Sequence, residues 1–320
     1  MPRTLFPEGE FITLFETFGP SETAKRTDST LRAVLGRRAR LEKKLNRSIV
    51  SATVSFPGAK GANLRVPSSA VGRIETDVMD GVVLVGSDAH YWPGEPTTAH
   101  RAFVKFCKDL QPKIVIKNGD VLDASTISRF PPIGWEKTPS LKDEIEACKD
   151  RLGEIVMAAP KAKRYWPLGN HCARFETRLA TVAPEYANVH GIHLKDHFPE
   201  FEPCWSVWIN DDVVVKHRFR GGIHAPHNNT LWSGKTLVTG HLHSQQVKPL
   251  SDYNGTRWGV DAGCLAEPYG PQFQYLEDSP RNWRSGFAVL FFDHGLLLQP
   301  QLAMVVDEGK IDFCGKIIEV

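Results

Sequence analysis

The feature of this sequence that most constrains its fold is a series of short apolar runs that end in aspartate, histidine or asparagine. The five runs with their polar ends read GVVLVGSDAH at 81–90, KIVIKNGDVLD at 113–123, KRYWPLGNH at 163–171, VVVKH at 213–217 and TLVTGHLHS at 236–244. Short runs rich in β-branched and apolar residues are typical of buried strands. Segments with a helical pattern lie between some of them, near 97–110 and 140–159. This alternation predicts an α/β core, in which ligand sites lie beyond the carboxyl ends of strands.

The last run ends in two histidines, His241 and His243, separated by one leucine. If the strand continued through them, both side chains would point to one face, with Cα atoms about 6.5 Å apart. Gly240, just before them, permits a sharp turn or a close backbone approach. This spacing predicts two imidazoles that enter one pocket, whereas a surface or hydrogen-bonded pair is the plainer interpretation.

Composition indicates a globular protein without a membrane segment. The 320 residues suffice for one large domain or two smaller ones, and a hydrophobic fraction of 41% allows a sizeable core. No stretch approaches the ~20 apolar residues of a membrane helix, and the N-terminus lacks the apolar region of a signal peptide. The six cysteines are scattered without a C-x-x-C pair, which favours reduced thiols. We therefore expect a cytoplasmic protein.

The net charge of +2 is distributed unevenly along the chain. Residues 1–65 contain twelve Lys/Arg and six Asp/Glu, a balance of +6. Such a front end predicts contact with a polyanion, although a solvated charged helix has the same composition. Changes in pattern along the chain predict three parts: a basic helix-turn-helix-like segment at 1–47, a linker or extended arm at 48–78 and the main domain at 79–320.

The basic segment predicts a short helix from Ser21 and a longer one from about Thr30, whose apolar positions follow helical spacing. This outline is that of a helix-turn-helix, and it predicts binding to nucleic acid. The candidate DNA contacts on the second helix are Arg32, Arg37, Arg38 and Arg40. A helical element for dimerisation or docking is the alternative.

Seven residues at the predicted strand ends form a candidate set of metal ligands. They are Asp88, His90, Asp120, Asn170, His217, His241 and His243. Carboxylate, imidazole and amide groups together suit divalent manganese, iron, zinc or cobalt. Seven ligands are too many for one tetrahedral ion but suit two ions that share a carboxylate. Taken singly, each residue has a plainer interpretation as a turn, cap or strand-end residue, but their joint occurrence favours the metal site.

The order of these motifs resembles that of the calcineurin-like metallophosphoesterases. The family pattern is D-x-H, G-D-x-x-D, G-N-H followed by Asp or Glu, a histidine after an apolar strand, and G-H-x-H. The matching stretches here are 88–90, 119–123, 169–171, His217 and 240–243. The resemblance covers about residues 80–300 and implies a four-layer αββα sandwich. Stretches such as SDAHYWPGE, FETRLA and DYNGTRWGVDAG resemble metallophosphoesterases encoded by tailed bacteriophages, which implies the host cytoplasm as the location.

The resemblance also implies a role for each ligand and a dinuclear mechanism. The ligands of one ion would be Asp88, His90 and His243. The ligands of the other would be Asn170, His217 and His241, with Asp120 bridging both ions. A hydroxide held between the ions would be the nucleophile. The catalytic residue His171 would bind no metal and would stabilise or protonate the leaving oxygen.

Two positions complicate the match to the family. Cys172 stands where the family has an acidic residue that would orient His171, and Asp123 is the candidate replacement for that carboxylate. For the histidine after the apolar strand, His224 and His227 are nearby rivals of His217.

Substrate contacts are expected next to two of the motifs. Tyr91 and Trp92 follow the first motif directly and could stack on a base, although packing aromatics are equally consistent with the sequence. Arg174, four residues after Asn170, is a candidate phosphate contact or a member of a surface ion pair.

The predicted function is hydrolysis of phosphoester bonds by a pair of divalent metal ions. The basic front end makes nucleic acid or nucleotides the candidate substrate class. One alternative is a phosphomonoesterase that acts on a small metabolite or a phosphoprotein. Ala124 and Ser125 after the second motif disfavour a protein phosphatase, because the Ser/Thr protein phosphatases have Arg-Gly there. The other alternative is a DNA-binding protein with a non-catalytic phosphoesterase scaffold.

Overall fold

The structure, a computed structural model, describes residues 6–49, 72–130 and 137–320. The chain divides into two compact units, Met1–Pro67 and Ser68–Val320. The helices are α1 (Glu8–Arg26), α2 (Leu31–Leu45), α3 (Thr98–Leu110), α4 (Leu141–Ala158), α5 (Cys172–Val182), α6 (Leu194–His197) and α7 (Ala225–Ser233). The first eight strands are β1 (Arg73–Thr76), β2 (Gly81–Gly86), β3 (Ile114–Lys117), β4 (Lys163–Pro167), β5 (Glu202–Cys204), β6 (Ser206–Ile209), β7 (Val213–Val215) and β8 (Thr236–Thr239). The remaining strands are β9 (Gln246–Asp252), β10 (Gly255–Asp261), β11 (Gly286–Asp293), β12 (Leu296–Leu297), β13 (Gln301–Asp307), β14 (Lys310–Phe313) and β15 (Lys316–Glu319).

The smaller unit contains a kinked first helix that is longer than the sequence predicts. The sequence predicts a helix start at Ser21, but α1 begins at Glu8 and bends at Gly19, whose φ of 71° lies outside the helical region. Pro20 follows the bend and cannot donate the helical hydrogen bond. The segment before the bend is helical because it buries Phe11 and Phe15 against α2.

The second helix begins where the sequence predicts and buries a narrow stripe. The hydroxyl of Thr30 accepts a hydrogen bond from the backbone N–H of Ala33 at 3.2 Å and caps the helix. Val34 and Leu41 are its buried apolar residues. Three other leucines of the predicted stripe are largely exposed: Leu31, Leu35 and Leu45.

The candidate DNA contacts on α2 fall into two groups. The guanidinium of Arg37 packs over the Phe11 ring, and Arg38 pairs with Glu42 at 3.0 Å on the same helix. These two side chains therefore stabilise the small unit itself. Arg32 and Arg40 are exposed, and DNA binding by this segment stays a prediction.

The larger unit contains two sheets. The nine-stranded sheet has the order β15-β14-β13-β11-β2-β3-β4-β5, with β12 paired to β11, and the six-stranded sheet has the order β1-β6-β7-β8-β10-β9. Neighbouring strands run parallel from β2 through β5, and β7, β8 and β10 are also parallel. The carboxyl ends of parallel neighbours share one edge of a sheet. The five predicted motifs follow β2, β3, β4, β7 and β8 and lie at these edges.

The larger unit is layered as helices, sheet, sheet and helix. Val83 and Val85 of the nine-stranded sheet pack against Val215 and Val238 of the six-stranded sheet in one buried cluster. The opposite face of the nine-stranded sheet packs against α3, α4 and α5. Helix α7 packs against β8, β9 and β10 on the outer face of the other sheet. This arrangement confirms the predicted α/β class and its αββα layering.

The predicted linker at 48–78 is only partly described. Residues 50–71 lie outside the described residues, and Arg73–Thr76 form β1, which pairs in parallel with β6. The end of the predicted linker is therefore part of a sheet, because its backbone completes the edge of the six-stranded sheet. No helix among the described residues is long and apolar enough to cross a bilayer.

Candidate metal centre

The strand ends bring predicted ligands together in two clusters, and a third group joins His90 to Asp123 and His171. The Asp88 cluster consists of Asp88, His90 and His243, and the Asp120 cluster consists of Asp120, His217 and His241. In each cluster one ligand atom per residue lies within 4.8 Å of the others. All six residues belong to the predicted ligand set. Their grouping follows the ligand assignment that the family resemblance implies.

The two clusters are contiguous. Asp88 Oδ1 lies 3.0 Å from His243 Nε2 within its own cluster and 3.9 Å from His217 Nε2 of the other cluster. Asp120 Oδ2 lies 3.1 Å from the same nitrogen of His217. This spacing suits two cations held side by side in one cavity.

Asn170, the seventh predicted ligand, lies at the edge of this centre. It follows β4, and the glycine before it, Gly169, contacts Asp120 so closely that a Cβ there would collide with the carboxylate. The side-chain amide oxygen of Asn170 is buried and has no hydrogen-bond partner in the part of the chain that the structure describes. The amide is therefore available to a ligand on the Asp120 side of the centre.

Several buried polar atoms of the candidate ligands make no hydrogen bond to the residues that the structure describes. They are His90 Nε2, Asn170 Oδ1, His217 Nε2 and His243 Nδ1. The His217 atom lies near Asp120, but without the geometry of a hydrogen bond. A buried donor or acceptor without a partner is costly, and a cation among these atoms would compensate for that cost. The residues present therefore fit a pair of divalent cations with nitrogen and oxygen ligands.

Unusual backbone geometry is concentrated at the same residues. Five of the seven predicted ligands have positive φ angles, between 40° and 70°: Asp88, His90, Asp120, His241 and His243. Residues other than glycine rarely adopt this conformation, and it typically persists where the surrounding structure imposes it. The packing of the larger unit thus holds these side chains in orientations that a relaxed loop would not select.

The two histidines of the last motif do not share one face, as the continued strand would require. Strand β8 ends at Thr239, and both histidines lie in the following turn with positive φ angles. His241 belongs to the Asp120 cluster and His243 to the Asp88 cluster. The continuation of the strand through both residues is wrong, because the backbone turns between them, but both histidines belong to the one candidate centre.

The histidine after β7 lies in the centre and its rivals do not. His217 is buried, and its Nδ1 lies 2.9 Å from the backbone oxygen of Asn118, which orients the ring. His224 and His227 are exposed around the start of α7. Gly119 touches the His217 ring, and its φ of 84° together with this contact leaves no room for a side chain.

A carboxylate holds the predicted catalytic histidine. Asp123 Oδ1 lies 2.8 Å from His171 Nδ1 and 3.0 Å from His90 Nδ1. The thiol of Cys172 instead accepts a hydrogen bond from the backbone N–H of Val121 and is buried. Asp123 therefore occupies the position proposed for the missing acid, and the residue at 172 does not orient His171.

The electrostatics of the centre follow from burial opposed by charge pairing. Burial favours the neutral carboxyl of Asp88, but His243 and His217 outweigh it and lower its pKa to about 2. Burial likewise opposes the charge on His217, but Asp88 and Asp120 raise its pKa to about 9. The pKa of His171 is raised, because Asp123 and Asp120 outweigh its burial. The pKa of His241 is lowered by burial and by His217.

One predicted substrate contact lies in the interior. Tyr91 is only 5% exposed, and its hydroxyl lies 2.8 Å from His100 Nδ1 and 3.1 Å from the ammonium of Lys117. It therefore does not line a substrate mouth, because its ring packs in the buried cluster between the nine-stranded sheet and its helices. Trp92 is half-buried. Arg174 lines a cleft beside Asn170, and its guanidinium lies 3.2 Å from His171 Nε2.

Sequence reasoning missed an aromatic wall on the Asp88 side. The ring centroids of Trp283 and His243 are 4.2 Å apart, and those of Phe273 and His90 are 5.0 Å apart. Both aromatic residues follow β10 in segments without an apolar run or motif. No local pattern distinguishes them from other loop residues.

Comparison with protein-family models yields no match. Among known proteins, the chain is 28% identical over 246 residues to the Gene 54 protein of Mycobacterium phage L5, across 69% of this chain and 92% of that protein. It is 29% identical over 243 residues to the Gene 54 protein of Mycobacterium phage D29, with the same coverage. Both relatives are phage-encoded, in agreement with the predicted similarity to phage proteins.

Solved structures show weaker similarity. Zinc-complexed Vps29 from Entamoeba histolytica matches with 14% identity and a TM-score of 0.40, over 74% of this chain and 98% of that chain. The phosphoesterase YfcE from E. coli matches with 13% identity and a TM-score of 0.32, over 75% and 99%. A serine/threonine phosphatase from Saccharomyces cerevisiae matches with 13% identity and a TM-score of 0.34, over 78% and 84%. The function of this chain therefore has to follow from its own site.

Proposed function

We propose that this protein hydrolyses phosphoester bonds with the aid of two divalent metal ions. The supporting observation is the convergence of ligand-type side chains from four strand ends on two contiguous clusters, with buried nitrogen and oxygen atoms that make no hydrogen bond within the described part of the chain. A mononuclear site would leave one cluster unexplained. The proposal rests on these side chains rather than on the structural similarities.

The ligand sets follow the clusters. One ion would be held by Asp88, His90 and His243. The other would be held by Asn170, His217 and His241, with Asp120 shared. When bound, such a pair supplies an activated water and neutralises charge on the phosphoryl oxygens.

The protein's own contribution to the reaction is the placement of a proton donor. Hydrolysis forms a bond from a water oxygen to phosphorus, breaks the ester P–O bond and requires a proton on the leaving oxygen. His171 is positioned for that protonation, because Asp123 holds its Nδ1 and thereby directs Nε2 away from the carboxylate. Its raised pKa keeps a larger protonated fraction near neutral pH.

The test is turnover of bis-p-nitrophenyl phosphate and p-nitrophenyl phosphate with Mn²⁺, Fe²⁺, Zn²⁺ or Co²⁺, and after chelation. We expect metal-dependent turnover of the diester, and a loss of at least ~100-fold in kcat/KM for Asp120→Asn. The matched control is His227→Asn, an exposed histidine outside both clusters, which should retain activity. Absence of turnover with every metal would refute the proposal, and a strong preference for the monoester would support the phosphomonoesterase alternative.

A further inference from the structure

A cleft runs past the Asp120 side of the candidate metal centre. Its larger part has a volume of about 660 Å³ and is lined by Asn170 and one face of α5. Its smaller part is lined by His241 and the segment after β7. Arg218 lines both parts. The two parts therefore adjoin at this side chain, with two of the candidate ligands in their walls.

The cleft is lined by arginines whose positive charges are not paired with a carboxylate of the described residues. Its five arginines are Arg129, Arg174, Arg178, Arg218 and Arg220. Among the described residues, none of the five pairs with a carboxylate, and no aspartate or glutamate lines either part of the cleft. An uncompensated cationic groove attracts polyanions.

The cleft is longer than one phosphate group. Its wall on α5 extends from Ala173 to Thr181, which is about 12 Å along a helix axis. Stacked nucleotides place successive phosphates of one strand about 3.4 Å apart along the axis, and the phosphates of unstacked nucleotides stand further apart. The wall therefore has room for more than one nucleotide and at most about three from the metal centre outward. A single nucleotide would use only the inner end.

Exposed aromatic rings accompany the arginines. Phe130 and Phe219 line the cleft and are 63% and 45% exposed. The guanidinium of Arg129 lies 5.0 Å from the centroid of Phe130, and that of Arg220 lies 4.2 Å from the centroid of Trp232. Cations that follow a backbone, interleaved with rings on which bases stack, are typical of single-stranded nucleic acid binding. A duplex offers no unstacked bases to such rings, and a phosphopeptide needs only one phosphate contact.

We propose that the substrate is a single-stranded nucleic acid that lies along this cleft. Its backbone phosphates bind Arg129, Arg178 and Arg218, and its bases stack on Phe130 and Phe219. The scissile phosphate lies beside Asn170 and His241. This inference rests on the proposed phosphoester hydrolysis and names its substrate class.

The test compares one small diester with one extended substrate on the full-length protein. Binding is measured in the presence of a chelator for a fluorescent 12-nucleotide single strand, its duplex, a mononucleotide and a phosphopeptide. Cleavage is measured with Mn²⁺. For Arg178→Gln/Arg218→Gln we expect the loss in kcat/KM for the single strand to exceed the loss for bis-p-nitrophenyl phosphate at least ~tenfold. The slope of log affinity against log salt should fall in magnitude by about 1.4. Phe130→Ala should weaken single-strand binding roughly fivefold or more, with little effect on the duplex.

The matched control removes two positive charges outside the cleft, with Lys108→Gln/Lys310→Gln, and should change neither substrate. Wild-type turnover of the small diester without binding or cleavage of the single strand would overturn this inference and leave the proposed function standing. Tighter binding of the duplex, the mononucleotide or the phosphopeptide than of the single strand would also overturn it. So would equal losses in kcat/KM for both substrates in the arginine variant. Absence of turnover of the small diester with any metal would instead refute the proposed function.

Discussion

At the scale of single residues, Asp123 and Lys117 are the two buried charged groups near the centre with the clearest consequences. Asp123 joins His90 and His171, so one carboxylate orients a candidate ligand and the candidate acid. Lys117 is fully buried at the end of β3, where its ammonium donates to Tyr91 and lies over the rings of Tyr91 and Phe103. Each leads to a prediction with its own measurement.

Replacement of Asp123 by asparagine should alter the pH dependence of turnover. Burial favours neutral His171, and the Asp123 carboxylate contributes to the net rise of its pKa. Without that charge the histidine loses its proton at lower pH, so the alkaline limb of the pH–rate profile should move to lower pH. The value of kcat should fall about 10–100-fold. Asp150→Asn, an exposed residue of α4, is the control, and an unmoved limb in Asp123→Asn would contradict the assigned role.

Lys117 should destabilise the folded protein near neutral pH. Burial lowers its pKa from 10.5 to about 7. Between these values the unfolded chain binds more protons than the folded one, so the free energy of unfolding rises with pH through this window. Lys117→Met should remove this rise of about 2 kcal/mol between pH 7 and 9. It should be as stable as the wild type at pH 7, or about 1–2 kcal/mol more stable. Urea unfolding at pH 7 and pH 9 measures the free energy of unfolding, and exposed Lys108→Met is the control. A Lys117→Met variant that is less stable than the wild type and keeps the same dependence on pH would contradict this prediction.

At the scale of elements, the junction between β4 and α5 positions a candidate ligand and the candidate acid. Asn170 and His171 occupy the turn, and α5 extends from it along the cleft. Asp120 accepts a hydrogen bond from the backbone N–H of His171 at 2.8 Å, which ties this turn to the end of β3. The turn passes so close to Asp120 that only glycine fits at 169.

A methyl group at 169 should therefore displace a candidate ligand while most of the fold persists. For Gly169→Ala we expect the affinity for Mn²⁺, measured by calorimetry, to fall about 10–100-fold, because the new Cβ collides with the Asp120 side chain and backbone. Gly153→Ala is the matched control, since that glycine lies within α4 and no heavy atom lies within 4 Å of the point where a Cβ would stand. The control should raise the free energy of unfolding by about 0.5–1 kcal/mol and leave Mn²⁺ binding intact. Equal Mn²⁺ affinities in both variants would contradict the tight contact.

At the scale of the whole molecule, the two sheets bring together acidic and basic side chains. One of the basic side chains must lose a proton before it can bind a metal ion. Asp88 follows a strand of one sheet and His217 a strand of the other. Burial alone would favour neutral His217, but the facing carboxylates of Asp88 and Asp120 raise its pKa to about 9. The imidazole is therefore mostly protonated at pH 7, although a metal ligand must be neutral.

Binding of Mn²⁺ should consequently release about one proton at pH 7. The apparent affinity should rise roughly tenfold per pH unit up to about pH 9 and then level off, because the competing proton is lost there. Calorimetric titration in two buffers of different ionisation enthalpy counts the protons. His227→Asn should behave like the wild type, and proton-free binding at pH 7 would show that His217 is not displaced from its ion pairs by the metal.

The sequence alone supports the α/β class and the list of strand-end residues. Short β-branched runs form strands wherever they are buried, and the polar residues that follow them must lie at the strand ends. Local patterns also locate the start of α2, where Thr30 caps the helix. These features depend on neighbours within a few residues along the chain. The sequence therefore predicts them without knowledge of the tertiary structure.

The tertiary structure decided which partner each of these residues meets. His241 and His243 are two positions apart yet belong to different clusters, because the backbone turns between them. Tyr91 follows a candidate ligand but lies in the core. Arg178 and Arg218 are 40 positions apart (218 − 178) and line one cleft, with no motif that links them. Such contacts depend on how two sheets and their helices pack, and that packing is set by many distant side chains at once rather than by any local pattern.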